Sequence, residues 1–475
     1  PVTILPGQAG PLTGAEGTAM LEIIHDLAPD AQLYFATAFT SITSFAQNIR
    51  DLRAAGCDII VDDVGYYAES PFQDGQASGV TSPTNGGVVA QAVNDVSAAG
   101  ASYFSSAGNS GNKNDGTSGV WEGDFADGGD APSPIGAANG RVHDFGGGQL
   151  FNTLTVANTN APITLFWADP LGASNNDYDI YRLNAAGTAI AAASTNTQDG
   201  SAPQDPIESM TQSTANPRIV IVKFSGAARY LHLNTNRGRL AISTAGQTHG
   251  HAAGAAAFSV AATPAGPAKF NTTDPSGPFP NPFSGADVVE TFSSDGPRRL
   301  FFEANGTPIT PGNFLATGGL LRQKPDITAA DGVSVTGNAG FSNPFFGTSA
   351  AAPHAAAIAA LLKSANASLT PAQIRTALIN SAIDIEAAGT DRDSGVGIIM
   401  AYQALQALNT PGGAAITLGA VTTTESPNVN GIISPGEAGT ISVQLNNPGI
   451  STATKISATL TTSTPGVTIL APNTR

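Results

Sequence analysis

The sequence predicts an α/β protein: a parallel β-sheet flanked by helices, interrupted by an inserted β-sandwich and followed by a partial second sandwich. Three observations carry this reading. Up to residue 111, segments with apolar residues at helical spacing alternate with short apolar runs, the pattern of βαβ units. Residues 112–247 turn polar, rich in Gly, Asn and Thr, and alternate with a period of two. The helix–strand alternation resumes over 248–409 and is lost again over 412–475. The expected division is a split α/β domain (1–111 and 248–409), an inserted jelly-roll sandwich (112–247) and an immunoglobulin-like sandwich (412–475).

Taken in order, Met20, Leu21, Ile23, Ile24 and Leu27 mark a first helix, and Ala28-Pro29 stops it before a strand over 32–38. A second helix over 44–55 leads into a strand over 58–64, and a third over 87–98 leads into one over 102–106. In the insertion, strands are expected at 154–156, 163–167, 178–183 and 219–224. A strand at 258–262 reopens the α/β pattern, which closes with helices over 349–364 and 371–385. Beyond 412, residues 420–424, 439–445 and 457–461 read as strands. The chain opens at Pro1 without a methionine, as after removal of a leader or in a piece of a longer protein. The last sandwich is expected to be truncated at Arg475.

Composition narrows the function. Charged residues make up 12% and the formal net charge is −16, so nucleic acid and anionic membranes are poor partners. No run of about 18 apolar residues offers a membrane span. Cys57 is the single cysteine, which excludes an internal disulfide, and its apolar setting suggests a buried thiol. A low charge density of negative sign fits a secreted protein.

Four blocks carry chemistry. Gly347-Thr348-Ser349-Ala350-Ala351-Ala352-Pro353-His354 sets an exposed serine hydroxyl at the start of an alanine-rich helix, whose first backbone N–H groups can stabilise an oxyanion. Tyr103 to Gly111 reads as a strand entering a tight Ala107-Gly108-Asn109 turn; Ser293-Ser294-Asp295-Gly296-Pro297 and Lys324-Pro325-Asp326-Ile327 follow. In chain order, Ala-Gly-Asn, Ser-Ser-Asp-Gly-Pro, Pro-Asp-Ile and then Gly-Thr-Ser, the blocks make the chain, from Ala15 to about Leu408, resemble the subtilisin-like serine peptidases. The resemblance implies Ser349 as nucleophile and Asn109 as an oxyanion donor, whose loss in such sites costs ~3 kcal/mol of barrier. The family's catalytic histidine, in Gly-His-Gly-Thr, is replaced here, because the matching run is Ala15-Glu16-Gly17-Thr18.

Glu16 in the histidine's place resembles the sedolisins, acid-active relatives with a Ser-Glu-Asp triad. Their aspartate follows one helical turn after the glutamate, and here that position is Met20. The supporting carboxylate is therefore sought in Val61-Asp62-Asp63-Val64-Gly65, where Asp63 is the candidate, or before Pro1. A second carboxylate has a physical purpose: like charges oppose each other's ionisation and raise one apparent pKa toward working pH. An acidic optimum follows.

Six histidines compete for the role of base. His25 is half a turn out of phase with Glu16, His354 lies in the helix after Ser349, and His143 and His232 belong to the insertion. His249 and His251 are the best outsiders. The expected product is a secreted, extracellular or cell-surface endopeptidase, a monomer acting on protein or peptide substrates. The alternative is a non-catalytic surface-binding protein on a decayed peptidase core. Segments around Trp167 and Asp177 to Tyr181 resemble the small jelly rolls that accompany secreted peptidases. No cofactor is required; calcium is the one metal admitted, through Asp169, Asp177 and Asp179, against the commoner reading of solvated turn acids.

Overall fold

The computed structural model describes residues 1–10, 15–213, 216–266, 268–271, 283–409, 417–426 and 438–446. The first part follows the expected alternation: β1 (Val2–Ile4), α1 (Glu16–Leu27), β2 (Leu33–Phe35), α2 (Ile42–Ala54), β3 (Ile59–Asp62), β4 (Gln73–Asp74), α3 (Val88–Ala98) and β5 (Ser102–Ser106). β3 and β5 join the strands Ala257–Pro264 and Ile327–Asp331 in a four-stranded parallel sheet whose order places β5 between β3 and Ala257–Pro264. Being covered on both faces, β5 and Ala257–Pro264 are buried at every residue.

One face is covered by α4 (Thr348–Ala365). Its Ala351, Ala352, Ala355, Ala356 and Ala359 are almost without exposure and pack against Phe104, Phe258, Val260 and Ile327. Alanine is the best helix former and the smallest apolar side chain, so the helix lies close to the sheet at no cost in propensity. The other face carries α2 and α3, through Phe45, Ile49, Val89, Val93 and Val96 against Ile60 and Tyr103. Helix α1 leans on the start of α4, with Ala19 and Ile23 against Ala350.

Between β5 and Ala257–Pro264 lie two antiparallel sheets. One orders Ile207–Thr211, Pro162–Trp167, Tyr230–Asn234 and Val120–Asp124; the other has Asp177–Leu183 and Arg218–Ser225 at its centre. Their inner faces share one cluster that includes Trp121, Leu165, Trp167, Tyr178, Ile180, Ile221 and Leu233. Asp295 binds the chain where it enters and leaves this region: its carboxylate accepts from Lys113 N at 2.9 Å and from Gly246 N and Gln247 N at 2.9 and 3.2 Å.

Several expectations are corrected. The strand over 32–38 is only Leu33–Phe35. The helix read as running from 371 to 385 is α5 (Pro371–Asn380), capped at its start by Thr370 and Gln373; it stops because Ile383 pairs with Ile398 instead. A last helix, α6 (Ala401–Asn409), follows. Cys57 is half-buried rather than buried. The acids read as solvated turn residues are interior: Asp177 and Asp179 lie in a strand, and burial pushes Asp179 up to about 7. The Asp169 carboxylate is held by Arg229 Nε and Asn176 Nδ2 at 2.7 and 2.8 Å. Among the described residues, no group of three or more His, Cys, Asp or Glu is placed to hold a metal ion. Of the C-terminal region, the antiparallel strands Thr417–Ser426 and Ala438–Asn446 are described, while the strand expected at 457–461 lies outside the described residues.

Candidate active site

The site is assembled where parallel strands end, the usual place for a crevice in an open α/β sheet. β3 pairs with β5 so that Asp62 stands opposite Ser105. The next residues on each strand, Asp63 and Ser106, are consequently neighbours on the face opposite to Asp62. After Ser106 the chain turns through Gly108, with φ of 102°, into Asn109. Helix α4 begins beside this turn.

Asp63 is the common neighbour of the predicted residues. The pKa of its half-buried carboxyl is pushed up to about 8, first by loss of solvation, then by the negative charge of Glu16 and, less, of Asp62; hydrogen bonds from the Ser349 and Ser106 hydroxyls act in the opposite sense. Glu16 opens α1 on its exposed side. The structure therefore brings together Ser349, Asp63 and Glu16, three residues drawn from α4, the end of β3 and the start of α1.

Asn109 completes the arrangement from the other side of α4. Its Oδ1 accepts from Thr348 N at 3.0 Å and Thr348 Oγ1 at 2.8 Å, which leaves the amide NH₂ facing Gly347. Thr348 Oγ1 in turn accepts from Gly108 N at 3.2 Å. Gly347 adopts φ of 132°, and a Cβ there would lie 3.2 Å from both Asn109 Nδ2 and Ser349 Oγ, so glycine keeps the space between donor and hydroxyl open. The Ser349 N–H belongs to the first helical turn, whose donors have no intrahelical partner. Pro353, inside α4, carries no N–H for the carbonyl of Ser349 one turn back.

One expectation fails in part. The Ser349 hydroxyl was expected to be exposed, whereas the residue keeps only 5% of its surface. The cause is the packing of the α4 N-terminus into the joint between Asn109 and Asp63.

The histidines are engaged elsewhere. His25 is exposed in the last turn of α1, nine residues from Glu16 and so about 13 Å along the axis. His354 Nδ1 bonds to Ala350 O at 2.7 Å, His143 accepts from Ala126 N, His232 pairs with Glu122, and His249 bonds to Gln247 O. His251 is clasped by Glu69 and Asp62.

Two members were not read from the sequence. Ser106 could have been found from strand register, as the residue level with Asp63. Asp331, at the end of its strand, accepts from Gly347 N at 2.8 Å and is pushed up to about 8 by burial and by the nearby Glu290. It lies four residues beyond the Lys324–Ile327 block, and only the fold shows that it braces the residue before Thr348.

Comparison with known proteins shows the family. The model of the subtilase family matches residues 8–397, and the chain belongs to that family. A subtilisin-like protease of Arabidopsis thaliana, SBT1.5, is 36% identical over 109 residues, which are 22% of this chain and 13% of the relative's length. Among solved structures, the CspB protease of Clostridium perfringens is similar over 80% of this chain and 75% of its own, at 15% identity and a TM-score of 0.46. A lanthipeptide protease is similar over 86% and 80%, at 16% identity and a TM-score of 0.35.

Proposed function

We propose that this subtilase is a secreted serine endopeptidase whose nucleophile, Ser349, is activated by a carboxyl pair instead of an imidazole. The observation that carries the reading is that Asp63 has Ser349 and Glu16 as joint neighbours and is poised to hold a proton at neutral pH. Ser349 Oγ attacks the peptide carbonyl carbon and gives its proton to Asp63 as Asp63 passes its own to Glu16. The pair gains the proton that the serine loses. The oxyanion is held by the Asn109 amide and the Ser349 N–H. The C–N bond then breaks as the pair returns a proton to the leaving amine, and water repeats the sequence on the acyl-enzyme.

Asp63 rather than Glu16 thus meets the serine, the reverse of the roles expected from the sequence, in which Asp63 only supported Glu16; Asn109 keeps the subtilisin oxyanion donor. Every step is a proton or acyl transfer, so the reaction requires no cofactor. The substrates are proteins or peptides, and the enzyme acts as a monomer outside the cell. In the proposed organisation, residues 1–111 and 248–409 form the peptidase domain, 112–247 a jelly-roll insertion, and 412–475 an immunoglobulin-like sandwich.

Labelling with a serine-directed fluorophosphonate tests the reading. The chain is expected to be modified and the Ser349→Ala variant not. Absence of labelling at every pH would leave the non-catalytic surface-binding protein as the surviving account.

A further inference from the structure

On the face of β3 opposite to Asp63, three ionisable groups are buried together: Asp62, Glu69 and His251 keep 6%, 2% and 1% of their surfaces. His251 Nδ1 lies 2.8 Å from Glu69 Oε2 and its Nε2 3.1 Å from Asp62 Oδ2, so both ring nitrogens face carboxylates and only the imidazolium can donate to both. Burial works against the charged ring, yet the two carboxylates hold its pKa well above the ordinary range. Asp62 also accepts from Ser105 Oγ at 2.8 Å, from the Tyr103 hydroxyl, and from Val64 N at 3.4 Å, the last bond spanning Asp63. Glu69 accepts from His251 N at 2.7 Å and from Tyr66 N at 3.1 Å. Gly250, at φ of 65°, is what admits Glu69, since a Cβ there would lie 2.6 Å from its Oε2.

Removing one partner of a buried ion pair leaves an uncompensated charge, so a clasp of this kind is rigid. It joins the chain returning from the inserted sheets to the strand that carries Asp63. We propose that His251 is a positioning residue: gripped between Glu69 and Asp62, it pins the end of β3 and so sets the Asp63 carboxyl against Ser349. The inference rests on the carboxyl-pair reading above. His251 touches neither Ser349 nor the place of a substrate; it acts through Asp62. The groups facing its ring are Asp62 on β3, Glu69 in the loop after it, Tyr103 and Ser105 on β5, His249 two residues before, and the apolar Phe45 on α2.

Two carboxylates and one cation give the clasp a net charge of −1. His251→Asn takes it toward −2 and Glu69→Gln toward zero, so the two variants should move the titration of Asp63 in opposite directions. In the full chain, the fluorophosphonate labelling rate of each variant is expected to fall about tenfold or more. Its alkaline midpoint is expected to move up in His251→Asn and down in Glu69→Gln, by about half a pH unit. Wild-type rates overturn the proposal. Slower labelling with unmoved midpoints, the sign of a merely structural role, overturns it as well. If His251→Asn does not fold, Glu69→Gln, which keeps the His251–Asp62 contact, decides by the same criterion. Failure of the unmutated chain to label would sink the carboxyl-pair reading and this one with it; normal labelling with indifferent variants would sink this one alone.

Discussion

Asp63 owes its behaviour to two separable causes, burial and the charge of Glu16, and each can be removed on its own. Glu16→Gln leaves the burial but takes away the neighbouring charge. The titration of Asp63 is then expected below about 8 but still above the unfolded value, which moves the alkaline limb of labelling to lower pH. Measuring that limb checks the prediction; an unchanged limb would mean that the two carboxyls do not communicate. Stability follows with a definite sign. The folded chain holds the Asp63 proton between about 4, the unfolded value, and about 8, so stability is full below that window and declines as pH rises through it. Asp63→Asn abolishes this decline, and thermal melts at pH 5 and pH 8 should lie closer together in the variant than in the parent chain.

At the scale of elements, the Lys324–Asp326 block shows how a short motif fixes the sheet behind α4. Asp326 accepts from Ser259 N and from Lys324 Nζ at 2.8 and 2.6 Å, and Arg375 of α5 closes on its other oxygen. Lys324 keeps 1% of its surface and is held down to about 8 by burial. Asp326→Ala would leave that ammonium without its counter-ion and is expected to cost ~3–5 kcal/mol, read from denaturant unfolding. The main elements here were legible because their signals are local: the apolar spacing in α1 to α3, the alanines of α4, and the short apolar runs of β3 and β5. The stop of α5 at Asn380 was not legible. It depends on Ile398, distant in sequence, claiming Ile383 for a strand bridge. Asp63 was found from its position relative to a known motif, whereas Ser106, Asp331 and the Asp62–His251–Glu69 clasp depend on strand register and on the return of the chain from the inserted sheets.

For the whole molecule, the question is how the inserted sheets stay registered with the α/β part. Asp295 answers for the backbone, holding Lys113, Gly246 and Gln247 at once. Buried Arg298 answers for the side chains, meeting Glu122 of the strand Val120–Asp124 and the carbonyl of Gly246 at 3.2 Å. Replacing Asp295 with Ala leaves three backbone N–H groups without their acceptor, at ~1–3 kcal/mol for each that stays buried. Hydrogen exchange at Lys113, Gly246 and Gln247 should then accelerate together, while exchange in α4 changes less. Since the same connection leads directly to His251, the route into the insertion and the geometry of the active-site strand are parts of one construction. The central claim, that a shared proton between Asp63 and Glu16 activates Ser349, is tested most directly by the labelling rate of the unmutated chain as a function of pH. The account predicts a rate that falls as pH rises through about 8, where Asp63 loses its proton; a rate that instead climbs to a plateau above that pH would contradict it.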